Sequence, residues 1–258
     1  LLVGTSFAKS FALSMNIPMV EIDHLEAHIL AHFIQNQDKD LKTPSFPFLC
    51  LTVSGGHTQI VKVSDYFEME IIGQTIDDAA GEAFDKVATI LGLPYPGGPS
   101  IQKAAEEGDP KAVDFPRSML GHDSLDFSFS GIKTAVLYHC QGQDMKGCNR
   151  AASMSRQEIA DIAASFQTAV IDVLIEKTRR AIRKVGARTV LLGGGVAANS
   201  VLRERMRALC TNANHSTRLL VAPKQYCTDN AVMVASLAYH KFRAGLFAGL
   251  TLEPKATG

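Results

Sequence analysis

Residues 189–244 alternate between short apolar runs and helix-like stretches, and no other feature of the sequence constrains the fold as much. Residues 189–192 read as a strand, Gly193-Gly194-Gly195 as a turn and 199–210 as a helix. A second strand follows at 218–222, then a final helix at 230–244. Strands that alternate with helices predict a sheet with helices on its faces, an α/β fold. With 258 residues, the chain is long enough for one large core or two lobes.

The upstream sequence fills in the rest of that layout. Two β-rich runs, 48–53 and 58–63, flank Ser54-Gly55-Gly56-His57 and predict a hairpin. A helical pattern over 77–91 is broken by Tyr95-Pro96-Gly97-Gly98-Pro99, and a further helix is expected at 100–107. A loop at 126–131 leads into another helix. Ser155 followed by Glu158 forms a capping-box pattern that opens a long amphipathic helix, 155–185, with Gly186 as its stop. The first residues read as an apolar helix (1–15), a strand (17–22) and a helix from His24 to about Gln35 with Asp23 as its N-cap. The polar, proline-containing stretch 36–47 is the expected boundary between a first domain, 1–44, and a second, 45–258. The chain starts inside an apolar element without an initiating Met or a cap, as a truncated chain would.

Charge and cysteine content narrow the functional classes. Lys plus Arg and Asp plus Glu are 26 each, so the formal net charge is zero. That argues against nucleic acid as the sole partner while allowing a local basic patch or RNA shared with another subunit. The five cysteines, Cys50, Cys140, Cys148, Cys210 and Cys227, contain no C-x-x-C pair, which fits a reducing compartment better than a disulfide framework or zinc ribbon. No apolar run reaches the roughly 18–20 residues of a membrane span.

Five motifs carry candidate chemistry. His24 and His28 lie four apart, which on a helix stacks both imidazoles on one face as a metal grip requires. The same spacing also occurs on ordinary helix surfaces. A metalloprotease would place its Glu directly after the first His. Glu26 is two positions on, and at about 100° per residue it falls on the far side of the helix. His32, one turn further, reads as a surface residue. In Val53-Ser54-Gly55-Gly56-His57-Thr58, glycines let backbone N–H groups approach a phosphate, and Ser54 and Thr58 add donors, although a bare hairpin turn has the same appearance. Gly193-Gly194-Gly195 after a strand and before a helix is a place for a nucleotide, yet it matches neither the dinucleotide fingerprint nor the P-loop. Asp77, Asp78, Glu82 and Asp85 crowd a helix start beside Ala79-Ala80-Gly81, whose small side chains would let something come close. Asp229, after a strand and before a helix, reads by itself as a cap.

Together these segments resemble the tRNA threonylcarbamoyladenosine transferases, the TsaD family, once labelled O-sialoglycoprotein endopeptidases. The resemblance runs in order through the His24–His28 helix, Val53-Ser54-Gly55-Gly56-His57-Thr58, the stretch from Asp77 to Lys86 and Tyr95-Pro96-Gly97-Gly98-Pro99. It continues through Asp126-Phe127-Ser128-Phe129-Ser130-Gly131-Ile132-Lys133, Gly194-Gly195-Val196-Ala197-Ala198-Asn199 and Cys227-Thr228-Asp229-Asn230.

The resemblance implies the two-lobed fold of actin, sugar kinases and Hsp70, with a nucleotide between the lobes. In that fold 1–44 would be the remnant of a first lobe that is mostly missing, and 45–258 would be the second lobe. It implies His24, His28 and Asp229 as ligands of one iron or zinc ion. It places threonylcarbamoyl-adenylate, or ATP in its stead, against Thr52, Val53, Ser54, Gly55, Gly56, Asp85, Gly98 and Asn199. The implied reaction moves the threonylcarbamoyl group to N6 of the adenosine 3′ of the tRNA anticodon. The metal would act there as a Lewis acid, and His57 stands as a general base by position only. Homodimerisation or helper subunits are further implied partners, and no membrane is.

His57 and Thr52, where the archaeal and eukaryotic cytosolic branch has Asn and a metal-binding Tyr, point to the bacterial and mitochondrial branch. The expected compartment is the mitochondrion, with a bacterial cytoplasm as alternative. Thr52 is a poor ligand, so water or substrate would complete the metal's coordination. The family's N-terminal strand and substrate loop have no counterpart here, so the chain as it stands is expected to be weakly active or inactive. A non-catalytic nucleotide-binding scaffold is the rival reading, with a metalloendopeptidase third.

Overall fold

The computed structural model describes residues 1–34, 44–118, 120, 121, 123–141, 153–211, 217–221, 226, 227 and 229–255. The expected helix end at Gln35, most of the 36–47 stretch, Cys148, the strand end at Ala222 and Thr228 lie outside them. The helices are α1 (Leu2–Met15), α2 (His24–Leu30), α3 (Ala80–Ile90), α4 (Gly97–Ala105), α5 (Ser130–Gln141), α6 (Arg156–Val185), α7 (Ser200–Thr211) and α8 (Ala231–Arg243). The strands are β1 (Phe48–Val53), β2 (Thr58–Asp65), β3 (Glu68–Gln74), β4 (Thr189–Gly193) and β5 (Arg218–Val221). The chain divides into two compact units: Leu1–Pro44 with Ala222–Gly258, and Ser45–Val221. The sequence division at 44 and 45 assigns 222–258 to the second part, whereas these residues group with the first.

In the second unit the strand order is β3-β2-β1-β4-β5. β1 and β4 are buried along their whole length, as expected for strands covered on both faces. β1 pairs antiparallel with β2 and parallel with β4, and β4 parallel with β5. The parallel register sets Thr52 beside Gly193. The hairpin turn after β1 and the glycine turn after β4 therefore emerge at the same end of the sheet, where open α/β sheets bind ligands. The 30-residue α6 has the full capping box, with Ser155 Oγ accepting the Glu158 N–H and Glu158 the Ser155 N–H; Gly186 ends it at φ 66°. Phe84, Phe127, Phe129 and Phe166 fill the core around it.

Two glycines bring backbones into direct contact at the ligand end. The Gly81 N–H donates to Ser54 O at 3.1 Å, and a Cβ on Gly81 would lie 2.5 Å from that oxygen. Gly194 takes φ 87°, and a Cβ there would strike the Val53 carbonyl. The start of α3 and the turn after β4 are thus both seated on the end of β1.

Three expectations need correction. Residues 17–22 form no strand; among the described residues their one ladder contact is an isolated bridge from Met19 to Ala248, and Pro18 lacks the N–H a ladder needs. The Pro-Gly-Gly-Pro segment does not precede α4 but opens it, since Pro96 caps it and Pro99 falls in the first turn, where its missing N–H costs nothing. The helix expected from 77 begins at Ala80, because Asp77 and Asp78 are engaged elsewhere. β3 was not expected: its alternation carries Glu68 and Glu70 on a sheet edge, where charge is favoured.

The backbone contact at Gly81 predicts that Gly81→Ala lowers the stability of the protein by about 1–3 kcal/mol despite the better helix propensity of alanine. Gly98→Ala, with nothing within 4 Å of the new methyl, leaves the midpoint unchanged or raises it. Urea unfolding followed by circular dichroism checks both, and equal midpoints for Gly81→Ala and the parent would contradict the packing.

Candidate functional site

In the hairpin turn the Ser54 N–H donates to His57 O at 2.7 Å, and Ser54 Oγ accepts the His57 N–H at 3.0 Å. The Ser54 hydroxyl is therefore used to close the turn. Thr58 is fully buried and its Oγ1 accepts the Ala80 N–H at 2.9 Å, so it fixes the start of α3 instead of offering a free donor. Gly55 and Gly56 are exposed, with open space where a Cβ would be, and among the described residues no acceptor faces their N–H groups. Two adjacent free N–H groups on a tight turn suit an anion. Thr52 and Val53 are buried in β1, with Thr52 Oγ1 3.6 Å from Cys50 Sγ, so only their backbone can reach a ligand. Burial pushes the Cys50 thiol up to about 12, which makes it inert as a nucleophile.

The acidic cluster divides into structural and available carboxylates. Asp77 accepts from the Ser128 and Ser130 hydroxyls at 2.6 and 2.7 Å and from the Phe129 and Ser130 N–H groups. Burial works against its charge, but these bonds outweigh it and hold the carboxyl below its usual range. Asp78 lies between Lys86 and Lys133, 2.8 Å from each, and there too the partners outweigh desolvation. Both aspartates clamp the 126–133 segment to α3. On the segment's other side the buried Lys177 Nζ donates to Ser124 O at 2.5 Å, and desolvation pushes its ammonium pKa down. Asp85 differs. One of its oxygens accepts the Gly97 N–H at 2.7 Å, which holds the start of α4, and the other has no partner among the described residues. The adjacent Gly98 faces open space. The small residues at 79–81 admit the hairpin backbone itself, which the sequence could not distinguish from a ligand.

Asn199 is 8% exposed and caps α7, its Oδ1 accepting the Leu202 N–H at 3.0 Å. Its Nδ2 donates to Gln167, a residue with no motif to announce it. His57 Nε2 is buried with no hydrogen-bond partner among the described residues.

In the first unit Asp23 caps α2 by accepting from the Leu25 and Glu26 N–H groups, as its residue type predicts. His24 and His28 then stack on one helix face, with ring centroids 4.8 Å apart and perpendicular planes. Asp229, just before the Asn230 cap of α8, completes the group. Its Oδ1 is 3.2 Å from His24 Nε2 and 3.0 Å from His28 Nε2, and one donor atom from each residue lies within 4.8 Å of the others. Tetrahedral donors at metal distances stand about 3.3 Å apart, so two imidazoles and a carboxylate in this array fit a divalent ion. His28 is buried while His24 and Asp229 are open to solvent, which leaves a face for further ligands. Glu26 is bound to Lys241 of α8 at 3.4 Å and serves helix packing. His32 lies outside the group, its Nδ1 3.0 Å from Ile29 O.

The profile of the TsaD family, tRNA N6-adenosine threonylcarbamoyltransferase, matches residues 1–236. A protein of that name from Christiangramia forsetii is 50% identical over 256 residues, covering 99% of this chain and 72% of its own length. The one from Riemerella anatipestifer is 49% identical, with 99% and 72% covered. Among solved structures the HypF of T. kodakarensis superposes with a TM-score of 0.66 at 15% identity, over 94% of this chain and 39% of that one, a likeness of fold.

The His24, His28 and Asp229 array predicts that the intact chain takes up one equivalent of cobalt(II) or zinc(II). His28→Ala and Asp229→Ala should weaken uptake by about 100-fold or more, since even outer-shell partners of a metal are worth about 10–100-fold. His32→Ala should leave it intact. Titration by cobalt absorption reads this directly, and uptake unaffected by His28→Ala would remove the assignment.

Proposed function

The chain belongs to the tRNA N6-adenosine threonylcarbamoyltransferase family, and from that premise we propose how its residues divide the work of transferring a threonylcarbamoyl group from its adenylate to N6 of the adenosine 3′ of a tRNA anticodon. The observation that carries the reading is the pair of free Gly55 and Gly56 N–H groups at the end of β1, next to the turn after β4. They bind the phosphate of the adenylate as donors, with no side chain in the way. The unpaired oxygen of Asp85 accepts from a ribose hydroxyl, Gly98 leaves room for the sugar, and Asn199 borders the adenine.

In the transfer, the N6 amine forms a bond to the threonylcarbamoyl carbonyl carbon. The bond from that carbon to the phosphate oxygen breaks, AMP leaves and the amine gives up a proton. The N–H groups of Gly55 and Gly56 favour departure because they stabilise charge that grows on the phosphate. His57 is the proposed proton acceptor, on the ground that its buried Nε2 has no partner among the described residues. His24, His28 and Asp229 would hold a divalent ion, iron or zinc by donor type. Such an ion would supply Lewis-acid charge to an oxygen of the substrate.

Partners follow from the reaction: threonylcarbamoyl-adenylate or ATP, and tRNA, with a second copy or helper subunits as further proposals. A neutral chain supports shared RNA binding. Among the described residues no helix is long and apolar enough to cross a membrane. Of the two compartments the resemblance allows, the bacterial relatives support a bacterial cytoplasm over the mitochondrion.

Threonylcarbamoyl-adenylate, unmodified tRNA and metal supplied to the chain should give the modified adenosine by nucleoside mass spectrometry. His24→Ala should lower the yield at least about 100-fold, and His57→Gln by about 100-fold. The same assay on a chain extended with the N-terminal segment of a relative separates weak activity of this chain from absent chemistry. No product from either chain, with metal and nucleotide bound, would favour a non-catalytic scaffold.

A further inference from the structure

The side chain of Asn199 has two partners, and their chemistry fixes which end faces which. A backbone N–H can only donate, so the atom facing Leu202 N is Oδ1. Nδ2 therefore turns to Gln167 and donates to its Oε1 at 2.7 Å. That bond orients Gln167 in turn, and its Nε2 must point away from Asn199. Gln167 is only 5% exposed, and among the described residues no acceptor faces this Nε2. Gln167 Nε2 is not fully enclosed, so it keeps a little contact with solvent and can be reached by a ligand. The donor belongs to a side chain bonded directly to Asn199, one of the residues proposed for the nucleotide.

We propose that Gln167 is a nucleotide-binding residue, its Nε2 donating to a ring nitrogen of the purine while its Oε1 holds Asn199. The proposal rests on the reading that Asn199 borders the adenine. A neutral amide suits a neutral base nitrogen, whereas the phosphate is served by the glycine N–H groups of the hairpin.

Calorimetric titration of the intact chain with ATP and its 1-, 3- and 7-deaza analogues tests this on the parent, Gln167→Met and Gln167→Glu. Gln167→Glu keeps an oxygen for Asn199 Nδ2 but turns the free donor into an acceptor. One deaza analogue should bind the parent about tenfold more weakly than ATP, the size of one lost hydrogen bond. That analogue and ATP should bind Gln167→Met equally, and Gln167→Glu should bind ATP at least about tenfold more weakly than the parent at an unchanged melting temperature. If Gln167→Met fails to fold, the parent and Gln167→Glu carry the comparison. Normal ATP binding with no analogue penalty, or with the same penalty in all three proteins, overturns the role of Gln167 alone. No ATP binding by the parent overturns the nucleotide site itself, and this proposal with it.

Discussion

The end of β1 is held by backbone touching backbone, and the rest of the second unit is arranged around that contact. The Ser54 carbonyl receives the Gly81 N–H, and the Val53 carbonyl is met by Gly194. No side chain intervenes, so the separation is set by van der Waals radii and cannot relax by a change of rotamer. Three segments far apart in sequence, the hairpin, the start of α3 and the turn after β4, are thereby fixed relative to one another. Gly55 and Gly56 project from that junction with their N–H groups unpaired among the described residues, so the proposed anion site would sit on a rigid base and not on a supple turn.

The carboxylates extend the same logic outward. Asp77 and Asp78 lock the 126–133 segment onto the start of α3 with hydroxyl, backbone and lysine partners. Asp85 spends one oxygen on the start of α4 and keeps the other. Asp77 and Asp78 are engaged at both oxygens and Asn199 at both ends of its amide, so among these three carboxylates Asp85 is the one with an oxygen left over. Groups held in place in this way lower the ordering cost of binding the proposed nucleotide.

Much of this was legible in the sequence because local physics dictates it. The capping box at Ser155, the Gly186 stop and the Asp23 cap are one-turn interactions, and the structure has all three. The hairpin follows from its Gly-Gly turn, and the spacing of His24 and His28 places them on one face. That Asp229 meets them is a contact across 201 residues, which spacing alone could not give. What escaped reading depended on distant partners. Residues 17–22 look like a strand yet find only one bridge among the described residues, while β3 looks too polar and is recruited by β2. Gln167 lies inside an amphipathic helix, where a polar residue without a motif gives no sign of a partner 32 residues away.

Hydrogen exchange of the intact chain with and without an adenosine nucleotide tests the central claim most directly. A nucleotide seated on the backbone junction should slow exchange together in three segments, 53–58, 80–86 and 194–202, with Gly55 and Gly56 among the most protected amides. Protection confined to other segments, or unchanged exchange at Gly55 and Gly56 under saturating nucleotide, would contradict the account.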